Sequence, residues 1–219
     1  MLSIRQLHVQ YQTRSGVVNA VNGIDLDISA GETVALVGES GCGKSATCLA
    51  VMGLLPAESG RVTSGSIQWE GNELTGMEER AFRRLRGKQM SMVFQDTMTA
   101  LNPYLRIDSQ LMESLITHQT IARIDAKNRA MYMLERVGLR NPKRVMRSYP
   151  HQLSGGMRQR VQIAMSLLCD PKVLIADEPT TALDVSVQKQ ILALLAELRD
   201  SMDLAMFLVS HDLSLVANV

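Results

Sequence analysis

The sequence contains few cysteines and few aromatic residues. Its 219 residues include three cysteines, three phenylalanines and one tryptophan. Cys42, Cys48 and Cys169 have no metal-ligand spacing, and three thiols cannot all pair, so a disulfide framework is excluded and a reducing compartment is favoured. The net charge is only +1. A balance this even gives no sign of a nucleic-acid partner.

Long apolar runs are also missing. No run approaches the roughly 20 residues that span a bilayer, so we do not expect the chain to cross a membrane by itself. The opening stretch, MLSIRQLHVQYQT, alternates polar and apolar residues and lacks the apolar centre of a signal peptide. Cytoplasm is therefore the expected compartment. The length fits one large domain with a hydrophobic core of its own.

Short apolar segments alternate with segments of helical spacing. Buried strands are predicted for TVALVG, MSMVF, VLIAD and AMFLVS, and a helix for KSATCLAVMGLL, which should end near Pro56. Such alternation indicates an α/β fold with a parallel sheet covered on both faces. Helical segments dominate between about Thr97 and Tyr149, which predicts an inserted helical subdomain. Gly138 is the expected stop of one of these helices.

The stretch GESGCGKS carries the first sign of chemistry. Gly38, Gly43, Lys44 and Ser45 match G-x-x-x-x-G-K-S between a predicted strand and a predicted helix. In that context the backbone N–H groups cradle a nucleotide's β-phosphate, the lysine reaches the β- and γ-phosphates, and the serine hydroxyl binds Mg²⁺. A glycine turn without a ligand is the structural alternative.

The stretch VLIADEP supplies the acidic residues that hydrolysis requires. The predicted strand ends at Asp177, which would hold Mg²⁺ through water. Glu178 follows and would accept the proton of the attacking water. The alternative is that both residues only terminate an acidic strand end.

A second anion-binding helix end is predicted at LSGGMRQR. Ser154, Gly155 and Gly156 precede a helix whose first N–H groups are free to bind an anion. One chain does not need two such sites for one γ-phosphate. A head-to-tail dimer, with this helix end meeting ATP on the partner, is the economical explanation. A simple N-cap by Ser154 is the structural alternative.

The order of these motifs resembles the ATP-binding cassette family over the whole chain. GESGCGKS is similar to the family's Walker A motif, LSGGM to its signature and VLIADE to its Walker B motif. The resemblance further identifies Gln95 with the Q-loop, Asp184 with the D-loop and His211 with the switch histidine. It also identifies Tyr11 with the aromatic residue that stacks on adenine, although a tyrosine at a strand end often only packs.

The resemblance implies an ATP hydrolase with the following site. The catalytic residues would be Lys44, Gln95, Glu178 and His211, and the Mg²⁺ ligands Ser45, Gln95 and Asp177. Contacts to ATP are expected from Tyr11, Gly38, Glu39, Ser40, Gly41, Cys42, Gly43, Lys44, Ser45, Ala46, Gln95, Asp177 and, across a dimer, from Ser154, Gly155, Gly156 and Asp184. Cys42 is either a small filler or a thiol whose modification would block phosphate binding.

The implied fold is a P-loop NTPase core of the RecA type with an N-terminal antiparallel β-subdomain and a helical insertion. We expect one nucleotide-binding domain over 1–219, with its core at about 1–96 and 169–219 and the helical subdomain at about 97–168. Family members continue beyond the position of residue 219, so a truncated C terminus is expected.

Several stretches resemble the ATPases of bacterial dipeptide, oligopeptide and nickel importers. They are FQDTMTALNP, YPHQLSGGMRQRVQIAM and ADEPTTALDVSVQKQIL. The implied protein is peripheral on the cytoplasmic face of the plasma membrane. Its implied partners are permease subunits, a second ATPase subunit and, indirectly, a substrate-binding protein, with no nucleic acid.

Two alternatives remain at this stage. One is a soluble cassette ATPase that acts on nucleic acid or ribosomes, although the chain lacks the long coiled-coil insertion, zinc-binding cysteines or second cassette of such proteins. The other is a small-molecule kinase or GTPase, which the signature stretch and the missing N-K-x-D motif disfavour.

Overall fold

A computed structural model describes residues 1–96, 100–181 and 183–216 of the chain. The strands are β1 (Leu2–Thr13), β2 (Gly16–Ile28), β3 (Thr33–Val37), β4 (Gly60–Trp69), β5 (Asn72–Glu73), β6 (Met90–Val93), β7 (Val173–Asp177) and β8 (Ala205–Ser210). The helices are α1 (Lys44–Val51), α2 (Glu79–Leu85), α3 (Ile107–His118), α4 (Arg123–Arg136), α5 (Pro142–Arg147), α6 (Gly155–Leu167), α7 (Val185–Met202) and α8 (Leu213–Val216), with a short 3₁₀ helix at Pro150–Gln152.

These strands form two four-stranded sheets. The first is antiparallel in the order β2-β1-β4-β5, and the second is parallel in the order β3-β8-β7-β6. The expected α/β class, with a parallel core and an N-terminal antiparallel sheet, is confirmed. The parallel order brings the carboxyl ends of β3, β8, β7 and β6 to one edge, where ligands of such sheets bind.

The parallel sheet separates two hydrophobic clusters. Along β7, Val173 and Ile175 pack with α1 and the antiparallel sheet, while Leu174 and Ala176 pack with the helices on the opposite face. Every residue of β7 and β8 is buried. Strands covered on both faces are mostly apolar, and β7 and β8 have one polar residue each, Asp177 and Ser210, at their carboxyl ends.

Helix α1 is shorter than the sequence predicts. It ends at Val51 rather than near Pro56. Gly53 has φ +60°, and its N–H donates to Ala50 O while the N–H of Leu54 donates to Leu49 O. This pair of bonds is a Schellman termination, which a glycine in the left-handed region favours.

Two other predicted helix boundaries are confirmed. Gly138, with φ +75°, follows α4, and the Ser154 side chain caps α6 by accepting from Met157 N at 3.3 Å. Helices α3 to α6 lie between β6 and β7 in the chain and share one buried cluster with α7 and one face of the parallel sheet. Within the described ranges, none of the helices has the length and apolar character needed to span a bilayer.

A bulge in the antiparallel sheet depends on one glycine. The pairing of β1 with β4 shifts register between Arg5 and His8, and Gly65 lies at this shift with φ +90°. A Cβ on Gly65 would lie 2.3 Å from the backbone oxygen of Gln6. A backbone atom cannot move aside as a side chain can, so this site accepts no side chain without displacing β1.

We expect Gly65→Ala to lower the free energy of unfolding by about 3 kcal/mol. The cost of an alanine in the left-handed backbone region and the cost of its clash with Gln6 O add together. Gly71→Ala is the matched control: Gly71 has φ +80°, but nothing lies within 4 Å of its Cβ position. That variant should lose only about 1 kcal/mol. Urea denaturation of both proteins measures the difference, and equal losses would contradict the steric argument.

Candidate active site

The glycine-rich loop at 38–43 joins β3 to α1, as the sequence predicts. Gly43 is the N-cap of α1 and has φ +95°. A Cβ on Gly43 would lie 2.0 Å from the backbone oxygen of Ala20 in β2. The loop is therefore pressed against the antiparallel sheet at this point, and only glycine fits there.

Lys44 is 4% exposed and points back into the loop. Its Nζ donates to the backbone oxygens of Gly38 and Glu39 at 2.8 and 2.7 Å. The same nitrogen lies 3.5 Å from Oε1 of Glu178 and 4.0 Å from Sγ of Cys42. A buried ammonium group thus faces a carboxylate across the site, within a loop whose N–H groups can bind phosphate.

Ser45 and Asp177 meet where α1 begins and β7 ends. The Ser45 hydroxyl donates to Oδ1 of Asp177 at 3.0 Å. Burial raises the pKa of Asp177, the Ser45 hydrogen bond lowers it, the nearby Glu178 charge raises it and Lys44 lowers it; the net change is upward. A cation at this position would favour the ionised form.

The Ser45–Asp177 pair has the oxygen ligands that Mg²⁺ requires. In the part of the chain that the structure describes, no three His, Cys, Asp or Glu side chains are grouped so that they could hold a metal. Mg²⁺ is commonly bound by one or two protein oxygens together with substrate phosphates and water. Ser45 and Asp177 supply two such oxygens beside the phosphate loop.

Glu178 is the centre of the polar contacts. Its Oε2 accepts from Nε2 of Gln95 at 3.0 Å and from the Thr181 hydroxyl at 2.9 Å, and lies 3.4 Å from Nδ1 of His211. Burial alone would raise the pKa of Glu178, but the Thr181 hydrogen bond and the charges of Lys44 and His211 outweigh it, so the pKa is lowered. The carboxylate is ionised at neutral pH.

The backbone of Glu178 is unusual. Its φ is +44°, a rare value for a residue with a side chain, and its N–H donates to Val209 O in β8 at 3.0 Å. The chain turns sharply after β7 while remaining bonded to the neighbouring strand. This turn directs the side chain across the sheet edge toward residues that follow the neighbouring strands.

The predicted Walker A, Walker B, Q-loop and switch residues therefore lie together. They are Lys44, Ser45, Gln95, Asp177, Glu178 and His211. Thr181 is a contact that sequence reasoning missed. It lies three residues after Glu178, and the turn that brings its hydroxyl back is closed by Thr181 N donating to Glu178 O at 3.1 Å. A threonine following an acidic strand end is the only sequence signal for it.

The signature residues and Asp184 of the D-loop form a second group, apart from the residues around Glu178. Gly156 packs against α7, since a Cβ there would lie 2.9 Å from Cγ1 of Val187, and Asp184 caps α7 by accepting from Val187 N at 2.9 Å. Ser154 caps α6. Among the described residues, no hydrogen bond or ion pair joins Ser154 or Asp184 to the phosphate loop. The beginnings of α6 and α7 are neighbours.

The remaining predicted ATP contacts occupy varied positions. Ser40, Gly41 and Cys42 are exposed at the tip of the loop, whereas the Ala46 side chain is buried in the cluster beneath the antiparallel sheet. Tyr11 is partly buried against the same cluster, with its ring close to Gly60. Burial raises the pKa of Tyr11. Its adenine-stacking role stays a prediction.

Several known proteins are similar to this chain over most or all of its length. Residues 21–181 match the family model described as ABC transporter. The dipeptide transport ATP-binding protein DppD of Bacillus subtilis is 48% identical over 219 residues, which is 100% of this chain and 65% of that protein. The oligopeptide transport ATP-binding protein OppD of Escherichia coli is also 48% identical, over 100% of this chain and 64% of the length of OppD. The chain thus spans slightly less than two thirds of these relatives.

Two solved structures of the bacterial cassette MJ0796 have a similar fold. Its dimeric structure matches with a TM-score of 0.87 at 26% identity over 99% of this chain and 90% of that one. A dimeric post-hydrolysis state bound to ADP and Pi matches with a TM-score of 0.86 at 27% identity over 98% and 90%. From the family match, the identity to the relatives and the clustering of its motifs, the chain belongs to the ABC transporter family.

Proposed function

We propose that this chain binds and hydrolyses ATP and powers a peptide importer. The observation that carries the proposal is the contact of Glu178 with Lys44, Gln95 and His211 at the edge of the parallel sheet. A carboxylate kept ionised, next to a buried lysine in a phosphate loop, combines a proton acceptor with a phosphate-binding cation. Phosphoryl transfer to water requires both.

Each residue has a defined part in this reaction. Glu178 accepts the proton of the attacking water, and the Gln95 amide and His211 ring hold its carboxylate in place. Lys44 exchanges its bonds to Gly38 O and Glu39 O for phosphate oxygens when ATP binds. Ser45 and Asp177, with Gln95 as a further expected ligand, would hold Mg²⁺, which would supply positive charge to neutralise the phosphates.

A second cassette completes the site. The Ser154 end of α6 offers N–H groups and the positive end of a helix dipole, yet it makes no described contact with this chain's own phosphate loop. We infer that Ser154, Gly155, Gly156 and the neighbouring Asp184 contact ATP bound to a partner ATPase subunit, identical or different. The relatives in fold named above are dimeric cassettes.

The cargo we propose is a peptide. The similar proteins reported above are named for dipeptide and oligopeptide transport, and nickel, which the sequence motifs also allow, is the less supported cargo. An importer of this kind also needs permease subunits and a substrate-binding protein outside the membrane. Since the permease carries the path through the bilayer, this chain would be cytoplasmic and peripheral at the inner face of the plasma membrane.

A groove next to the Q-loop is the proposed docking surface for the permease. The groove has a volume of about 730 Å³ and is lined by residues 100–105, by α3 and by Met165 of α6. Tyr104 is 88% exposed and Leu105 39% exposed in this groove. Gln110 holds the loop rigid, because its amide accepts from Asn102 N and donates to the backbone oxygens of Asn102 and Leu105. Exposed apolar side chains on a rigid loop suit a protein partner.

The first test replaces the proton acceptor. Glu178→Gln should bind ATP with retained affinity, because the amide still fills the site, while kcat falls by at least about 100-fold because no base remains. Glu135→Gln, an exposed change on α4, is the control and should leave kcat unchanged. Nucleotide binding and phosphate release measure the two effects. Native turnover by Glu178→Gln would refute the assigned reaction.

The second test uses the single exposed thiol. Cys42 is exposed while Cys48 and Cys169 are buried, so N-ethylmaleimide should label Cys42 selectively. The added group would occupy space beside Lys44 and abolish ATP binding, and ATP bound beforehand should slow the labelling. Cys42→Ser should be insensitive to the reagent. Native ATP affinity after complete labelling of Cys42 would contradict a phosphate site at this loop.

The third test concerns the permease. Tyr104→Ala should reduce the fraction of the protein that sediments with membranes by about tenfold, which corresponds to about 1.4 kcal/mol of lost contact, without changing ATP affinity. Ile124→Ala removes another exposed apolar side chain, from α4, where Ile124 is 64% exposed, and serves as the control. An unchanged membrane fraction for Tyr104→Ala would move the docking surface elsewhere.

A further inference from the structure

Gln162 is a buried polar residue with no part in the proposed reaction. It lies in the middle of α6 and is 1% exposed. Its Nε2 donates to the backbone oxygen of Phe94 at 3.2 Å, whereas its Oε1 has no hydrogen-bond partner among the described residues. A half-satisfied amide in the interior costs stability, and an apolar side chain of the same size would avoid that cost. The hydrogen bond to Phe94 O is therefore the interaction that would account for a glutamine at this buried position.

That bond acts on the peptide group that leads into Gln95. The oxygen of Phe94 and the nitrogen of Gln95 belong to one planar unit, so holding the oxygen fixes the direction in which Gln95 leaves the strand. The pairing of β6 with β7 ends at Val93 and Ala176, and the sheet no longer constrains the chain at Phe94. Two residues beyond the sheet, Nε2 of Gln95 donates to Glu178.

Packing alone does not fix Phe94. Its side chain is 38% exposed. It also borders a cavity of about 190 Å³ that Gln162 lines as well. Space of this size lets a segment shift, so a directed hydrogen bond has to supply the constraint. Ala100, Ser114 and Met165 line both this cavity and the proposed docking groove.

We propose that Gln162 is a positioning residue for ATP hydrolysis: it holds the peptide between Phe94 and Gln95 so that the Gln95 amide stays on the Glu178 carboxylate. The inference rests on the proposed hydrolysis and assigns no direct contact with ATP.

A double-mutant cycle tests this role. Gln162→Met keeps the side-chain volume but cannot donate, so kcat should fall roughly tenfold through misplacement of Gln95, while KM for ATP stays unchanged. In a Gln95→Ala background the same change should have no further effect, since the residue through which it acts is gone. A merely structural role would lower kcat by the same factor in both backgrounds, and that result would overturn the proposal.

Gln159→Met is the matched control. Gln159 is 2% exposed on the same helix and makes no described hydrogen bond to the Q-loop. Whatever factor Gln159→Met changes kcat by, it should change kcat by the same factor in the wild-type and Gln95→Ala backgrounds. Native kcat for Gln95→Ala would remove Gln95 from the mechanism and overturn the positioning role with it, whereas the Glu178→Gln test above would still stand.

A second variant covers the case in which Gln162→Met does not fold. Gln162→Glu has the same shape, but the ionised carboxylate cannot donate to Phe94 O, and burial raises the pKa of such a group. The ratio of its kcat to the wild-type kcat should therefore rise as the pH falls, because the protonated carboxyl donates again. A ratio that stays flat and far below one between about pH 6 and pH 9 would contradict the proposal, since a buried carboxyl is protonated over part of this range.

Discussion

The contact between the Glu178 carboxylate and the Lys44 ammonium group is the interaction on which the rest of the site depends. The two side chains are 11% and 4% exposed and their charged atoms are 3.5 Å apart. Each charge would be unfavourable at this depth without the other. Gln95, Thr181 and His211 complete the surroundings of the carboxylate. Burial raises the pKa of Glu178, but Thr181, Lys44 and His211 lower it by more, so the carboxylate is ionised at neutral pH.

The parallel sheet makes this meeting possible. Lys44 follows β3, Gln95 follows β6, Glu178 follows β7 and His211 follows β8, so residues far apart in the chain share one sheet edge. The apolar segments that form β6, β7 and β8 are recognisable in the sequence because these strands are buried on both faces, whereas β3 is only half-buried. The motifs at the ends of these strands can be located in the sequence because each begins where an apolar run stops. The residues themselves thus place Lys44, Ser45, Asp177 and Glu178 at this edge, whereas Gln95 and His211 are identified only through the family resemblance.

Other features could not be read from the sequence. The end of α1 at Val51 depends on the left-handed conformation of Gly53, which competes with continued helical spacing up to Leu55. The contact of Thr181 depends on a turn whose first residue, Glu178, has an unusual φ. The bond from Gln162 to Phe94 joins residues 68 positions apart. Such long-range contacts are set by packing, which local patterns do not encode.

The central claim of the proposed function is that the beginning of α6 contacts ATP bound to a second cassette. Small-angle scattering of Glu178→Gln, mixed with its natural partner cassette and saturated with ATP, is the most direct test. The account predicts a particle of twice the mass that separates when ATP is removed. Scattering from single cassettes at saturating ATP would contradict it.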